Sequence, residues 1–274
     1  MKTATLGSNN VEKFGLIIIE SLPENDRKTG QELYSSTIRY KLFQEPNLSA
    51  EYFDIESKSA LLHLLDLLYQ RALAENYFFV LHFEVHGSDD GLVMKNKESV
   101  NWNELVPKFR KINVHFNNLL LIHLAVCKGG NLIGVIAPEE RAPFKAIVTT
   151  FREISIFSLQ TGFEEFYDHF FFSFDIEEST NKFNSISQSP RDHMTLITAE
   201  SIFDKLSDIE RDQDNKQKQV ELVMDDIARR MPAFNRLPIP MRRELAERKL
   251  IGMYQTLRSK REFFLMEDIR MADP

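Results

Sequence analysis

The chain has 274 residues, 43% of them hydrophobic and 27% charged, with a formal net charge of −7 and a single cysteine. That size suits one sizeable α/β domain with an appendage, or two small domains, and it excludes a fibrous or disordered chain. One cysteine excludes an internal disulfide, a Cys-rich zinc site and a dithiol redox motif; no apolar run approaches the roughly 20 residues that cross a bilayer, and the negative charge argues against generic nucleic-acid binding.

Met1–Thr5 lacks the apolar core of a secretory signal, so a cytoplasmic protein without a membrane partner is expected. Gly15–Glu20 is a continuous apolar run and reads as a buried strand. Gly30–Phe43 reads as one helix, and Ala50–Ile55 as a short strand. Ser57 or Ser59 caps a leucine-rich helix over Leu61–Leu73. Tyr77–Val85 is a second apolar strand, ending at His86-Gly87. Ser88–Gly91 is turn chemistry and Leu92–Met94 a returning hairpin strand. Trp102–Asn118 is helical, Leu119–Val126 is a third buried strand running into Cys127-Lys128-Gly129-Gly130, and a short helix follows from Asn131. Phe144–Thr150 is a strand, Ser158–Phe172 an aromatic-rich helix and Met194–Thr198 a last strand. From Ile202 the pattern is helical, broken at Pro232, Pro238 and Pro240. The fold class that follows is α/β, a mostly parallel sheet sandwiched by helices (residues 1–205), with a helical C-terminal extension (206–274).

In such sheets the working residues sit on loops beyond the carboxyl ends of the strands. His86 and Cys127 both lie there. A cysteine hydrolase needs a thiol that becomes thiolate, an imidazole to take its proton, and donors for the oxyanion. If the two strands are neighbours, His86 and Cys127 converge, and the amides of Gly87 and Cys127 form the oxyanion hole. The Gly129-Gly130 turn and the helix start beyond it would favour the thiolate.

Phe79–Gly87, then Asp90-Gly91-Leu92, then Leu119–Gly130 place an apolar strand ending in His-Gly before an apolar strand ending in Ala-x-Cys-x-Gly-Gly. This order resembles the caspase-like superfamily of cysteine peptidases, and within it the bacterial CHAT-type peptidases, over roughly three-quarters of the chain. The resemblance implies peptide-bond hydrolysis, with His86 as general base, Cys127 as nucleophile and no cofactor or metal. It also implies a protein or peptide substrate and a latent bacterial effector of anti-phage defence, released by a signal such as a nucleotide messenger. The position two before the cysteine, usually polar in the caspases, is Ala125 here. Specificity is then expected from acids near the strand ends: Glu20, Asp26 or Glu153, any of which would favour a basic side chain.

Rival readings are a non-enzymatic scaffold using the same cleft and a hydrolase of small amides. His82-Phe83-Glu84 has the His-x-Glu spacing of zinc deaminases, but these need a Pro-Cys-x-x-Cys partner that one cysteine cannot supply. Zinc held by His82 and His86 would need a third ligand. The run from Arg229 to Arg261 is a solvated basic face, or else a site for an anionic small-molecule activator. Oligomerisation is compatible with the sequence.

Overall fold

A computed structural model describes residues 14–187, 189–206 and 216–270. The chain opens on β1 (Phe14–Ser21), whose apolar run is buried on both faces, as a central parallel strand requires. The following helical stretch is not continuous: α1 (Thr29–Leu33) passes through a π-helical turn at Tyr34–Ile38 into α2 (Arg39–Gln44). Ser35 and Ser36 donate their hydroxyls back to the Gln31 and Glu32 carbonyls, the local competition for backbone acceptors that bends helices.

β2 (Leu48–Asp54) leads to α3 (Lys58–Glu75), capped by the Ser57 hydroxyl, which accepts from Ala60 N–H, and closed by Asn76 in a left-handed conformation. β3 (Phe78–Gly87) is followed by a small hairpin, β4 (Gly91–Val93) and β5 (Ser99–Asn101). β5 is too short and polar to stand out in the sequence. α4 (Trp102–His115) starts on a capping box formed by Asn101 and Glu104. β6 (Leu121–Ala125) runs through a tight turn into a 3-10 helix, Gly129–Val135, and β7 (Ala146–Thr149) follows.

α5 (Ile156–Ser173) carries the aromatic run. Phe174 in a left-handed conformation ends it, and α6 (Ile176–Ile186) starts on the Asp175 cap. α6 has few apolar residues and no clear stripe, which is why the sequence pattern does not announce it. Its Phe183 ring lies so close over Gly162 of α5 that a Cβ there would meet it at 2.3 Å. β8 (Thr195–Thr198) completes the sheet.

The strands pair in the order β2-β1-β3-β6-β7-β8. Every neighbouring pair is parallel except β7 with β8. Leu16, Ile18, Val80, Ala125 and Val148 point to one face and pack with Leu33, Ile38 and the α5 aromatics. The opposite face is met by α4, with Phe83 and Phe109 rings 5.7 Å apart. The expected mostly parallel sheet with helices on both sides is therefore the observed architecture.

The boundary between two compact units falls at Ala199/Glu200, and Ala137–Arg141 belongs with the second. That unit comprises most of α7 (Ala199–Leu206), α8 (Lys216–Arg230), α9 (Ile239–Phe264) and α10 (Glu267–Arg270). Val220 and Val223 of α8 pack on Ala246 and Leu250 of α9. Arg141 is clasped there, its guanidinium donating to both Asp268 carboxylate oxygens at 2.8 and 2.7 Å and to the Phe263 carbonyl. Five basic residues of α9 are paired: Arg243 with Glu247, Arg248 with Glu244, Arg258 with Glu262, Arg261 with Glu267 and Lys260 with Glu139. The side chains of Arg229 and Arg230 lie outside the description. Among the described residues no helix is long and apolar enough to cross a membrane.

Candidate active site

β3 and β6 are adjacent and parallel, with Leu81 opposite Ile122, His82 opposite His123 and Glu84 opposite Ala125. β6 ends at Ala125, and the turn carrying Cys127 begins beyond it, alongside the His86-Gly87 end of β3. Gly87 confirms how close the backbones come. A Cβ at Gly87 would lie 1.8 Å from the Cys127 carbonyl oxygen. The glycine is not needed for a left-handed turn, since its φ is not positive; it is needed because no side chain fits between the two strand ends.

The loop beyond β7 and a bond within the turn itself fix the turn that carries Cys127. Lys128 N–H donates to the Arg152 carbonyl, Gly129 N–H to Val126 and Gly130 N–H to Thr150. Lys128 holds φ 57°, a left-handed conformation costing a non-glycine residue about 1 kcal/mol. Its Nζ reaches Asp89, as does the Asn131 amide, and the Trp102 indole donates to the Asp89 carbonyl. The strained turn is thus tied to the loop beyond β3. The thiol itself is half-buried. The helix after it is a seven-residue 3-10 helix that starts at Gly129, two residues earlier than the sequence suggests.

Asp26 occupies a different role from the one expected. Its Oδ2 lies 2.6 Å from His86 Nε2. A carboxylate accepts, so in a neutral ring this hydrogen bond selects the tautomer with Nε2–H as donor and leaves the lone pair on Nδ1. The loop holding Asp26 is shaped by its own N–H donating to the Pro23 carbonyl and by Lys28 Nζ donating to Leu22. Both side chains of the pair keep access to solvent.

Glu20, expected to read a basic substrate side chain, is fully buried. Its two oxygens accept from Gly30 N–H at 2.8 Å and Tyr52 OH at 2.5 Å. Burial raises its pKa, and burial with the hydrogen bond to Glu20 raises that of Tyr52. The reason for the correction is local: β1 continues one residue past Glu20, and α1 and β2 close over the carboxylate. Glu153 is exposed in the loop beyond β7.

A buried polar chain runs on the same face, beneath the pair. Thr29 donates to Glu84 Oε2, Glu84 Oε1 meets His82 Nε2 at 3.0 Å, His82 Nδ1 meets Tyr167 OH at 3.0 Å, and Tyr167 OH meets His123 Nδ1 at 2.7 Å. One proton arrangement satisfies it with neutral rings. His82 donates to Glu84, Tyr167 donates to His82, and His123 donates to Tyr167. His123 Nε2 is then a bare lone pair with no partner, among the Phe163, Phe166 and Phe170 rings. Burial drives the His123 pKa well below its ordinary value and the Tyr167 pKa well above. His82 and His123 sit in apolar strands and are buried core histidines; no sequence pattern links them to Tyr167, 44 residues from His123 along the chain. With both His82 nitrogens occupied, His82 has no lone pair to give a zinc ion alongside His86.

No family model matches the chain, and no characterised protein matches it in sequence.

Proposed function

We propose that this chain is a cysteine peptidase of the caspase-like type, with Cys127 as nucleophile and His86 as base. The observation that supports the reading is that β3, which ends in His86-Gly87, is the parallel neighbour of β6, which runs into Cys127, with the Gly87 and Cys127 backbones in close approach.

His86 Nδ1 takes the thiol proton, and the thiolate attacks the scissile carbonyl carbon. The N–H groups of Cys127 and Gly87 stabilise the oxyanion that develops. The imidazolium returns its proton to the leaving amine, the C–N bond breaks, and a thioester remains on Cys127. His86 then takes a proton from water, the hydroxide displaces the acyl group, and the thiol is regenerated. Asp26 holds the Nε2–H tautomer throughout and offsets the imidazolium charge. The cysteine and the carboxylate come from loops beyond β6 and β1, and the imidazole from the carboxyl end of β3.

Latency fits the half-buried thiol. The cations of α9, laced to carboxylates within their own unit, support the solvated face more than an open site for an anionic activator. The test is a fluorogenic peptide panel assayed with wild type, Cys127→Ala and His86→Ala. Cleavage that both substitutions abolish is the expected result; cleavage that survives either one overturns the reading.

A further inference from the structure

The loop beyond β7 borders the nucleophile. Its Thr150 and Arg152 carbonyls accept from Gly130 and Lys128, so its path is fixed by the turn that carries Cys127. Phe151 lies between these two anchors. Its ring packs on Gly130, where a Cβ would meet ring atoms at 2.6 Å. A glycine is therefore required under the ring, and the ring's other side faces solvent.

Phe151 is 49% exposed, and Ile156 and Phe157 in the first turn of α5 are 52% and 53% exposed. Between them Ile154 turns inward with Leu159, into the core cluster on which Cys127 also packs. The segment thus has buried anchors that hold it against the nucleophile's own packing and three large apolar side chains left outside. Elsewhere on the first unit large apolar groups are also exposed, such as Phe43 and Phe172, but these lie on α2 and at the far end of α5. Only the Phe151 segment is hydrogen-bonded to the turn of the thiol. Exposed apolar groups at a reaction centre mark where apolar ligand surface is covered.

We propose that Phe151, with Ile156 and Phe157, forms an apolar subsite, so that the enzyme selects peptides with a large aliphatic or aromatic side chain flanking the scissile bond. This rests on the peptidase reading. It competes with selection of a basic side chain, for which Glu153 in the same loop is the acid left exposed, Glu20 being buried and Asp26 hydrogen-bonded to His86.

The test is a randomised peptide library digested by the full chain, with cleavage sites read by mass spectrometry. Leu, Ile, Met, Phe or Tyr should be enriched at one fixed position beside the cut. Phe151→Ala should lower that enrichment roughly 10-fold, Phe151→Leu should retain most of it, and the rate of Cys127 alkylation by iodoacetamide should be the same in all three proteins. Enrichment of Lys, Arg or Asp in the wild type, or apolar enrichment unchanged in Phe151→Ala, overturns the subsite alone. If the wild type cuts nothing while Cys127 still alkylates, the peptidase reading falls and the subsite falls with it.

Discussion

The Gly87 Cα and the Cys127 carbonyl oxygen are packed so closely that a methyl group between them would sit 1.8 Å from the oxygen. One strand end thereby fixes the position of the other. Gly87→Ala forces β3 and the Cys127 turn apart, displacing the imidazole and thiol by a fraction of an ångström or more. Overpacking of this kind costs about 1–3 kcal/mol. Peptide cleavage should fall at least ~100-fold, since small misplacements of reacting groups carry penalties of that size, while thermal unfolding shows a smaller, cooperative loss. Full activity in Gly87→Ala would mean that the strand ends are free to separate.

On the proposed mechanism Asp26 acts through His86, to which it is hydrogen-bonded. Asp26→Asn keeps the shape of the loop but replaces the acceptor with a group that can also donate, so the wrong tautomer becomes accessible. The expected effect is a drop in kcat of ~100-fold, within the range that positioned acid–base groups contribute, with KM little changed. Asp26→Glu should recover part of it. A change confined to KM would instead assign Asp26 to substrate binding.

The buried His123 makes stability depend on pH. Its pKa in the folded chain is held well below 6.5 by burial and by the neighbouring His82; in the unfolded chain it returns to about 6.5. Above that pH the ring is neutral in both states. Below it the unfolded chain binds a proton that the folded chain rejects, so stability falls by up to ~1.4 kcal/mol per pH unit. The groups facing it are His82, Tyr167 and the ring faces of α5, with Glu84 one link further. His123→Phe removes this proton while Tyr167 keeps His82 as a partner. Urea melts at pH 7.5 and 5.5 should therefore differ less in His123→Phe than in the wild type. An identical difference would show that His123 is not held neutral.

The strands that carry the pair are legible in the sequence because each is a long apolar run stopped by polar and glycine residues, His86-Gly87 in one case and Cys127 before Gly129-Gly130 in the other. Their adjacency is not legible. It depends on β6 pairing with β3 at a sequence separation of 41, Glu84 to Ala125, and no local pattern encodes it. Asp26 sits in a loop with no periodicity, 60 residues from the ring it meets; its charge invites a substrate role until the geometry gives it another. Glu20 misleads in the opposite direction. A carboxylate at the end of an apolar run looks solvent-facing, yet Tyr52 and Gly30 supply enough donors to bury it. The π turn at Tyr34–Ile38 has a local cause that periodicity does not show, the Ser35 and Ser36 hydroxyls competing for backbone acceptors.

The α5–α6 contact rests on close packing. Gly162 faces the Phe183 ring, with three ring atoms within 2.6 Å of where a Cβ would stand, and Phe183 is one of three residues that α6 buries. Gly162→Ala gains helix propensity of up to ~1 kcal/mol in α5, but it must push the ring out of a close-packed core, at about 1–3 kcal/mol. The steric term wins, so a net loss of stability is expected. Phe183→Leu in the same background relieves the clash and should restore part of it, a coupling that a double-mutant cycle measures directly. Because α5 also carries Tyr167 and the Phe rings around His123, the single substitution should raise hydrogen exchange in α6 and α5 together. Exchange confined to α6 would show that the two helices open independently.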